Sequence, residues 1–149
     1  MAERMLLVAT DGSPASVAAV DAALDLAGPM QARVRFVHAS SPAAEELFDR
    51  YPQDGPTPEQ ITAADPVLAA AASRAAEKGV ACEVELIAAE HSANLAATIA
   101  GIASGIGASI IVTGSRGRGA VAGAVLGSVS HNLIKEASIP VLVVHGHDS

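Results

Sequence analysis

The chain has 149 residues, half of them hydrophobic, with a formal net charge of −7 and only three aromatic side chains. That length suits one domain with a single well-buried core, and the acidic balance with so few aromatics argues against a nucleic-acid surface. The single cysteine, Cys82, excludes an intrachain disulfide, and no apolar stretch free of glycine and charge is long enough to span a membrane.

The first apolar run, 5–10 (MLLVAT), reads as a buried strand, and the stretch before Asp11 is too short in its apolar part to be a signal peptide. Asp11-Gly12-Ser13-Pro14 closes the strand, with Ser13 suited to cap a helix and Pro14 to open it. Val17, Val20, Leu24 and Ala27 recur at helical spacing, and Gly28-Pro29 is expected to end that helix. A second strand follows at 33–39 (RVRFVHA), with His38 read as a satisfied core residue.

Residues 40–64 carry Pro42, Pro52, Pro56 and Pro58, five carboxylates, and both Phe48 and Tyr51. A short helix is expected over Ala43–Arg50 and a long loop over the remainder, with the aromatics pinning it to the body. Asp65-Pro66 starts an alanine-rich helix that Gly79 stops, and 80–88 alternates as a third strand, which places Cys82 as a small buried hydrophobe. Leu95, Ile99, Ile102 and Ile106 mark one face of the next helix.

The fourth strand, 110–113, runs into Thr113, Gly114 and a loop studded with Gly117, Gly119 and Gly123, and a helix over 124–137 follows. Strand, glycine loop and helix start form an arrangement that holds phosphate, because backbone amides can approach an anion closely and the first helical amides lack internal partners. Gly127, Ser128 and Ser130 fall at that helix start, and Arg116 and Arg118 place cations in the loop. The spacing is Gly-x2-Gly-x9-Gly-Ser, which is neither a Walker loop nor the Gly-x-Gly-x-x-Gly dinucleotide motif. A last strand, Val141–Val144, follows Pro140 and lies at a sheet edge.

The alternation predicts an α/β fold, an open five-stranded parallel sheet with helices on both faces, in a single domain spanning 1–149. Ligands bind such sheets at the carboxyl ends of the strands where the order reverses. If the first and fourth strands are neighbours, Thr10-Asp11 and Thr113-Gly114 face one crevice.

The opening LLVATDGSPAS, the VHA at 37–39, and the closing IIVTGSRGRG and LGSVSHNLIKEASIPVLVV resemble the universal stress protein family, in its ATP-binding branch, over essentially the whole chain. The resemblance implies that Ala9, Thr10 and Asp11 border adenosine and that Ala39 offers its backbone to the base. It further implies that Thr113 and Gly114 touch base and ribose. Gly117, Gly127, Ser128, Val129 and Ser130 would take the phosphates, with Arg116 beside them. ATP would carry a Mg²⁺ ion on its phosphates. The family resemblance also implies a homodimer through Val141–Val144. The resulting expectation is a cytoplasmic, nucleotide-dependent stress-response binder. A slow Mg²⁺-dependent ATPase or phosphotransferase and a nucleotide-free dimeric interaction module stay open as alternatives, and the loop does not exclude cyclic AMP. Ala9 and Ala39 are smaller than bulkier family variants, and Ala89-Glu90-His91 replaces a Gly-x-Pro element that the family often has.

Overall fold

The computed structural model describes residues 4–40, 43–88, 92–116 and 126–146. Five strands, β1 (Arg4–Ala9), β2 (Ala32–Ala39), β3 (Cys82–Ile87), β4 (Ile110–Gly114) and β5 (Val141–Val144), form one sheet in the order β3-β2-β1-β4-β5. Every pairing is parallel, with Leu6 opposite both Val34 and Ile110 and Ala9 opposite both Val37 and Thr113. The chain moves outward from β1 to β2 and β3, then returns to the other side of β1 for β4 and β5. The order therefore reverses between β1 and β4, and their carboxyl ends stand side by side, which meets the condition for one shared crevice.

Six helices cover the sheet: α1 (Pro14–Met30), α2 (Ala43–Arg50), α3 (Pro58–Ala64), α4 (Pro66–Glu77), α5 (Ser92–Gly105) and α6 (Ser128–Glu136). Alternate strand residues feed two cores. Leu6, Val8, Val34 and Phe36 pack with α1 to α4, whereas Leu7, Val37 and Ile111 pack with α5 and α6. Small and branched aliphatics dominate both, as expected for a sheet buried on two faces.

Local chemistry sets the helix boundaries. Ser13 caps α1 by accepting from the Ser16 amide at 3.3 Å, and Asp65 caps α4 by accepting from the Leu68 amide at 2.9 Å. The α1 helix runs past Gly28-Pro29 to Met30 and closes at Gln31, whose φ is 53°. Proline disfavours helix at the preceding residue through its Cβ and amide, and Gly28 has no Cβ, so the helix survives one turn longer than composition suggests.

The segment expected as a long loop contains α3. Thr57 and Gln60 form a reciprocal capping box there, at 3.2 Å and 2.8 Å, and Pro58 takes the first helical position. Proline at that position costs nothing, because its missing amide would have no partner. Tyr51 packs against the core while Phe48 is exposed, so only the tyrosine pins the segment. On α5 the most buried stripe is Ala96, Ile99 and Ala103, flanked by Leu95, Ile102 and Ile106. The α6 helix starts at Ser128, with Leu126 before it and half-buried, whereas 124–125 lie outside the described residues.

Candidate functional site

The end of β1 is built as a rigid corner. The Thr10 amide donates to the Val37 carbonyl at 2.9 Å, which ties the corner to β2. Gly12 turns the chain with a φ of 81°, a conformation that glycine adopts without strain. The Asp11 Oδ1 accepts from the Ser13 amide at 2.9 Å. Behind this turn lies Ser16, whose Oγ accepts from Thr10 Oγ1 at 3.2 Å and from the Asp11 amide at 3.3 Å. The same hydroxyl donates to the Ser13 carbonyl at 3.1 Å.

The end of β4 meets this corner directly. Gly114 leaves no room for a side chain, since a Cβ there would stand 2.7 Å from the Ala15 carbonyl carbon and 2.8 Å from the Ser16 nitrogen. Its glycine is thus required by strand-to-helix packing as well as by access to the cleft. Beyond it, the Ser115 carbonyl accepts from the Gly127 amide at 2.6 Å and from Ser130 Oγ at 3.2 Å. Those bonds close the neck of the glycine loop. Ser13 Oγ donates to the Arg116 carbonyl at 3.3 Å, which fastens the departing strand to the α1 cap. Gly117, Arg118, Gly119 and Gly123 lie outside the described residues.

The α6 helix opens differently from α1, α3 and α4, each of which has a capping side chain. Gly127 is its N-cap, and no side chain caps it. Its first intrahelical bond runs from the His131 amide to the Gly127 carbonyl at 3.0 Å. The amides of Ser128, Val129 and Ser130 precede that bond and have no acceptor within the helix. Ser130 itself is buried, and its hydroxyl donates to the Ser115 and Gly127 carbonyls and so is engaged within the protein.

These pieces line one cleft, about 760 Å³ including its open mouth. Ala9, Thr10 and Asp11 supply one wall, and Ala39 another. Thr113, Gly114 and Arg116 lie between β4 and the loop, and Gly127, Ser128, Val129 and Ser130 form the far end. Every described residue expected at the site is therefore in one cleft. Four further groups line it without having been expected there: Ser16, Val37, His38, and the pair Leu95 and Ile99 on α5. Ser16 lies on the buried stripe of α1, a polar residue among Ala19, Val20 and Ala23.

His38 is satisfied as expected, but by a carboxylate. Its Nδ1 lies 2.7 Å from Asp65 Oδ2, and both side chains are largely buried. Asp65 caps α4 with its other oxygen, so one carboxylate links the cleft wall to the start of α4. Among the described residues the acidic and basic side chains that line the cleft are Asp11 and Arg116, and no three His, Cys, Asp or Glu side chains gather to hold a metal ion.

The family model for the universal stress protein family matches residues 4–145. The chain belongs to that family. The universal stress protein YxiE of Bacillus subtilis is 32% identical over 93% of this chain and 97% of its own length. A solved universal stress protein in complex with cAMP is 25% identical, covers 99% of this chain and 100% of its own, and superposes with a TM-score of 0.64. The universal stress protein of Archaeoglobus fulgidus in complex with dAMP shares the fold at 21% identity and a TM-score of 0.66, covering 96% of this chain and 98% of its own. Those two solved structures thus each hold an adenine nucleotide. Among the described residues of this member, no helix is long and apolar enough to cross a membrane.

Proposed function

We propose that the cleft binds ATP or a related adenine nucleotide and that binding, rather than turnover, is the protein's output. The observation that carries this reading is the α6 N-terminus, which opens on Gly127 without a side-chain cap and lies in the cleft. The first amides of a helix carry partial positive charge and point out of its N-terminus, which favours a phosphate. A net charge of −7 opposes anions at long range, so this local dipole and Arg116 must supply the attraction.

In this reading Ala9, Thr10 and Asp11 border the adenosine, and the Ala39 backbone meets the base against Leu95 and Ile99. Thr113 and Gly114 approach base and ribose. Gly117, Gly127 and the amides of Ser128, Val129 and Ser130 take the phosphates. Mg²⁺ fits as a phosphate-borne ion, since Asp11 is the single carboxylate among the described lining residues. When bound, it would neutralise phosphate charge. The His38–Asp65 contact ties the cleft to α4 and so offers a route by which occupancy affects the 40–64 segment. Among the described lining residues Asp11 is the one carboxylate, and the one histidine, His38, is engaged by Asp65, which favours a binder over an ATPase. A homodimer through β5 completes the reading.

Calorimetry with ATP, ADP and AMP in the presence of Mg²⁺ tests it, comparing wild type with Ser128→Pro. Proline suits the first position of a helix but removes one amide donor, and the substitution also removes the hydroxyl. Hydrogen bonds to charged groups are worth about 1.5–3 kcal/mol, so affinity for ATP should fall about ten- to a hundredfold with the helix intact. Wild type that binds none of the three nucleotides would overturn the reading.

A further inference from the structure

We infer that Ser16 is a positioning residue for the nucleoside end of this cleft, acting through Thr10 and Asp11. The inference rests on the adenine-nucleotide reading above and deepens it. A serine hydroxyl has one proton and two lone pairs, and Ser16 uses all three. It accepts from Thr10 Oγ1 at 3.2 Å and from the Asp11 amide at 3.3 Å, and it donates to the Ser13 carbonyl at 3.1 Å. Its residue is 3% exposed, and Gly114 closes on its backbone nitrogen. A hydroxyl so committed neither attacks a ligand nor binds one directly.

What it does is fix direction. Thr10 gives its hydroxyl proton to Ser16, so Oγ1 offers lone pairs toward the cleft and accepts rather than donates. Asp11 is held at two points, its amide by Ser16 and its Oδ1 by the Ser13 amide at 2.9 Å. Both residues line the cleft. Without the Ser16 hydroxyl, Thr10 could rotate its proton outward, and the Asp11 amide would lose its buried acceptor. The corner would then present a different pattern to the sugar while the α6 amides stayed in place.

Position and energy both separate this role from the phosphate end. Calorimetry with adenosine, AMP and ATP should show Ser16→Ala weakening all three by a similar factor, about five- to twentyfold for a lost buried acceptor. Ser128→Pro should leave adenosine unchanged and weaken only the phosphorylated ligands. Thr10→Val removes one of the two hydrogen bonds through which Ser16 acts, so the double variant should lose less affinity than the product of the two single losses. Ser16→Thr retains the hydroxyl and should recover most of the affinity. Thr57→Ala, which uncaps α3 at an exposed site, controls for simple loss of stability and should bind like wild type. Ser16→Ala affinities within twofold of wild type, or losses that multiply with Thr10→Val, would overturn the inference. Failure of wild type to bind any adenine ligand would instead overturn the reading beneath it.

Discussion

Gly146 rests on Ala15. A Cβ built on Gly146 would stand 2.6 Å from the Ala15 Cα and 2.7 Å from its nitrogen, and Gly114 closes on the same residue from the end of β4. The first turn of α1 is therefore gripped between the β4 exit and the chain just past β5. Ser115 reinforces the grip, its amide donating to the Val144 carbonyl at 2.8 Å. The corner that carries Thr10, Asp11 and Ser16 is thus held by three separate strands.

Gly114→Ala and Gly146→Ala should both be destabilising, because the opposing atoms are almost all backbone and cannot swing aside. Overpacking of this kind costs about 1–3 kcal/mol, which lowers the unfolding midpoint by about 2–4 °C per kcal/mol at this chain length. Gly114→Ala should also weaken adenosine binding, since the added methyl presses on Ser16. Thermal unfolding and calorimetry on the two variants check both statements, and a midpoint unchanged in Gly114→Ala would contradict the close approach.

The opposite result is expected at Gly101. It lies within α5, is exposed, and has nothing within 4 Å of a built Cβ. Glycine in a helix interior costs about 0.5–1 kcal/mol relative to alanine. Gly101→Ala should raise denaturant resistance by that amount with nucleotide affinity unaltered. Urea unfolding followed by circular dichroism measures it.

Asp65 serves two structures with two oxygens. Asp65→Ala removes the α4 cap, worth about 1 kcal/mol, and strips buried His38 of its partner, for about 1–3 kcal/mol more. Asparagine caps nearly as well as aspartate, so Asp65→Asn should keep the cap and lose only the His38 share. Equal losses in the two variants, measured by urea unfolding, would show that the cap contributes nothing.

Much of this architecture was legible in the residues themselves. Continuous or alternating apolar runs bounded by turn residues located all five strands, and Ser13-Pro14 and Asp65-Pro66 announced two helices through capping chemistry that acts over three residues. The sequence signal for α3 was also present, as Thr57-Pro58-Glu59-Gln60, but four prolines in the segment outweighed it. The cleft's phosphate end was readable because glycine spacing reports backbone approach. Ser16, Leu95 and Ile99 were not, since their place at the site depends on how α1 and α5 lie across the sheet. The structural need for Gly114 was hidden for the same reason: the residue it accommodates, Ala15, is distant in sequence.

Cys82 should be a slow nucleophile. Burial pushes its thiol up, Arg33 partly offsets this, and Glu83 adds to it. A raised folded value means that the thiol stays neutral at pH 8 and that its contribution to stability is lost only as pH climbs through that value. Alkylation by iodoacetamide at pH 8 should be much slower in the native protein than in denaturant, because the thiolate is the reactive form. Matching rates would show an accessible, ordinary thiol.

The two sheet edges differ in a way that bears on assembly. On β3, Glu83 and Glu85 pair with Arg35 on β2 at 3.3 Å and 2.8 Å, and such charges discourage another chain from adding to the edge. On β5, the sequence Val-Leu-Val-Val has no charge, Leu142 is 37% exposed, and nearby Ile134 on α6 is 52% exposed. An uncharged edge beside exposed aliphatics suits pairing with a second copy about a twofold axis. Val143→Asp would place a carboxylate on that edge and should shift the protein from dimer to monomer in light scattering, with its circular dichroism spectrum retained. A mass that stays at one chain for wild type, or at two for the variant, would rule out β5 as the dimer contact.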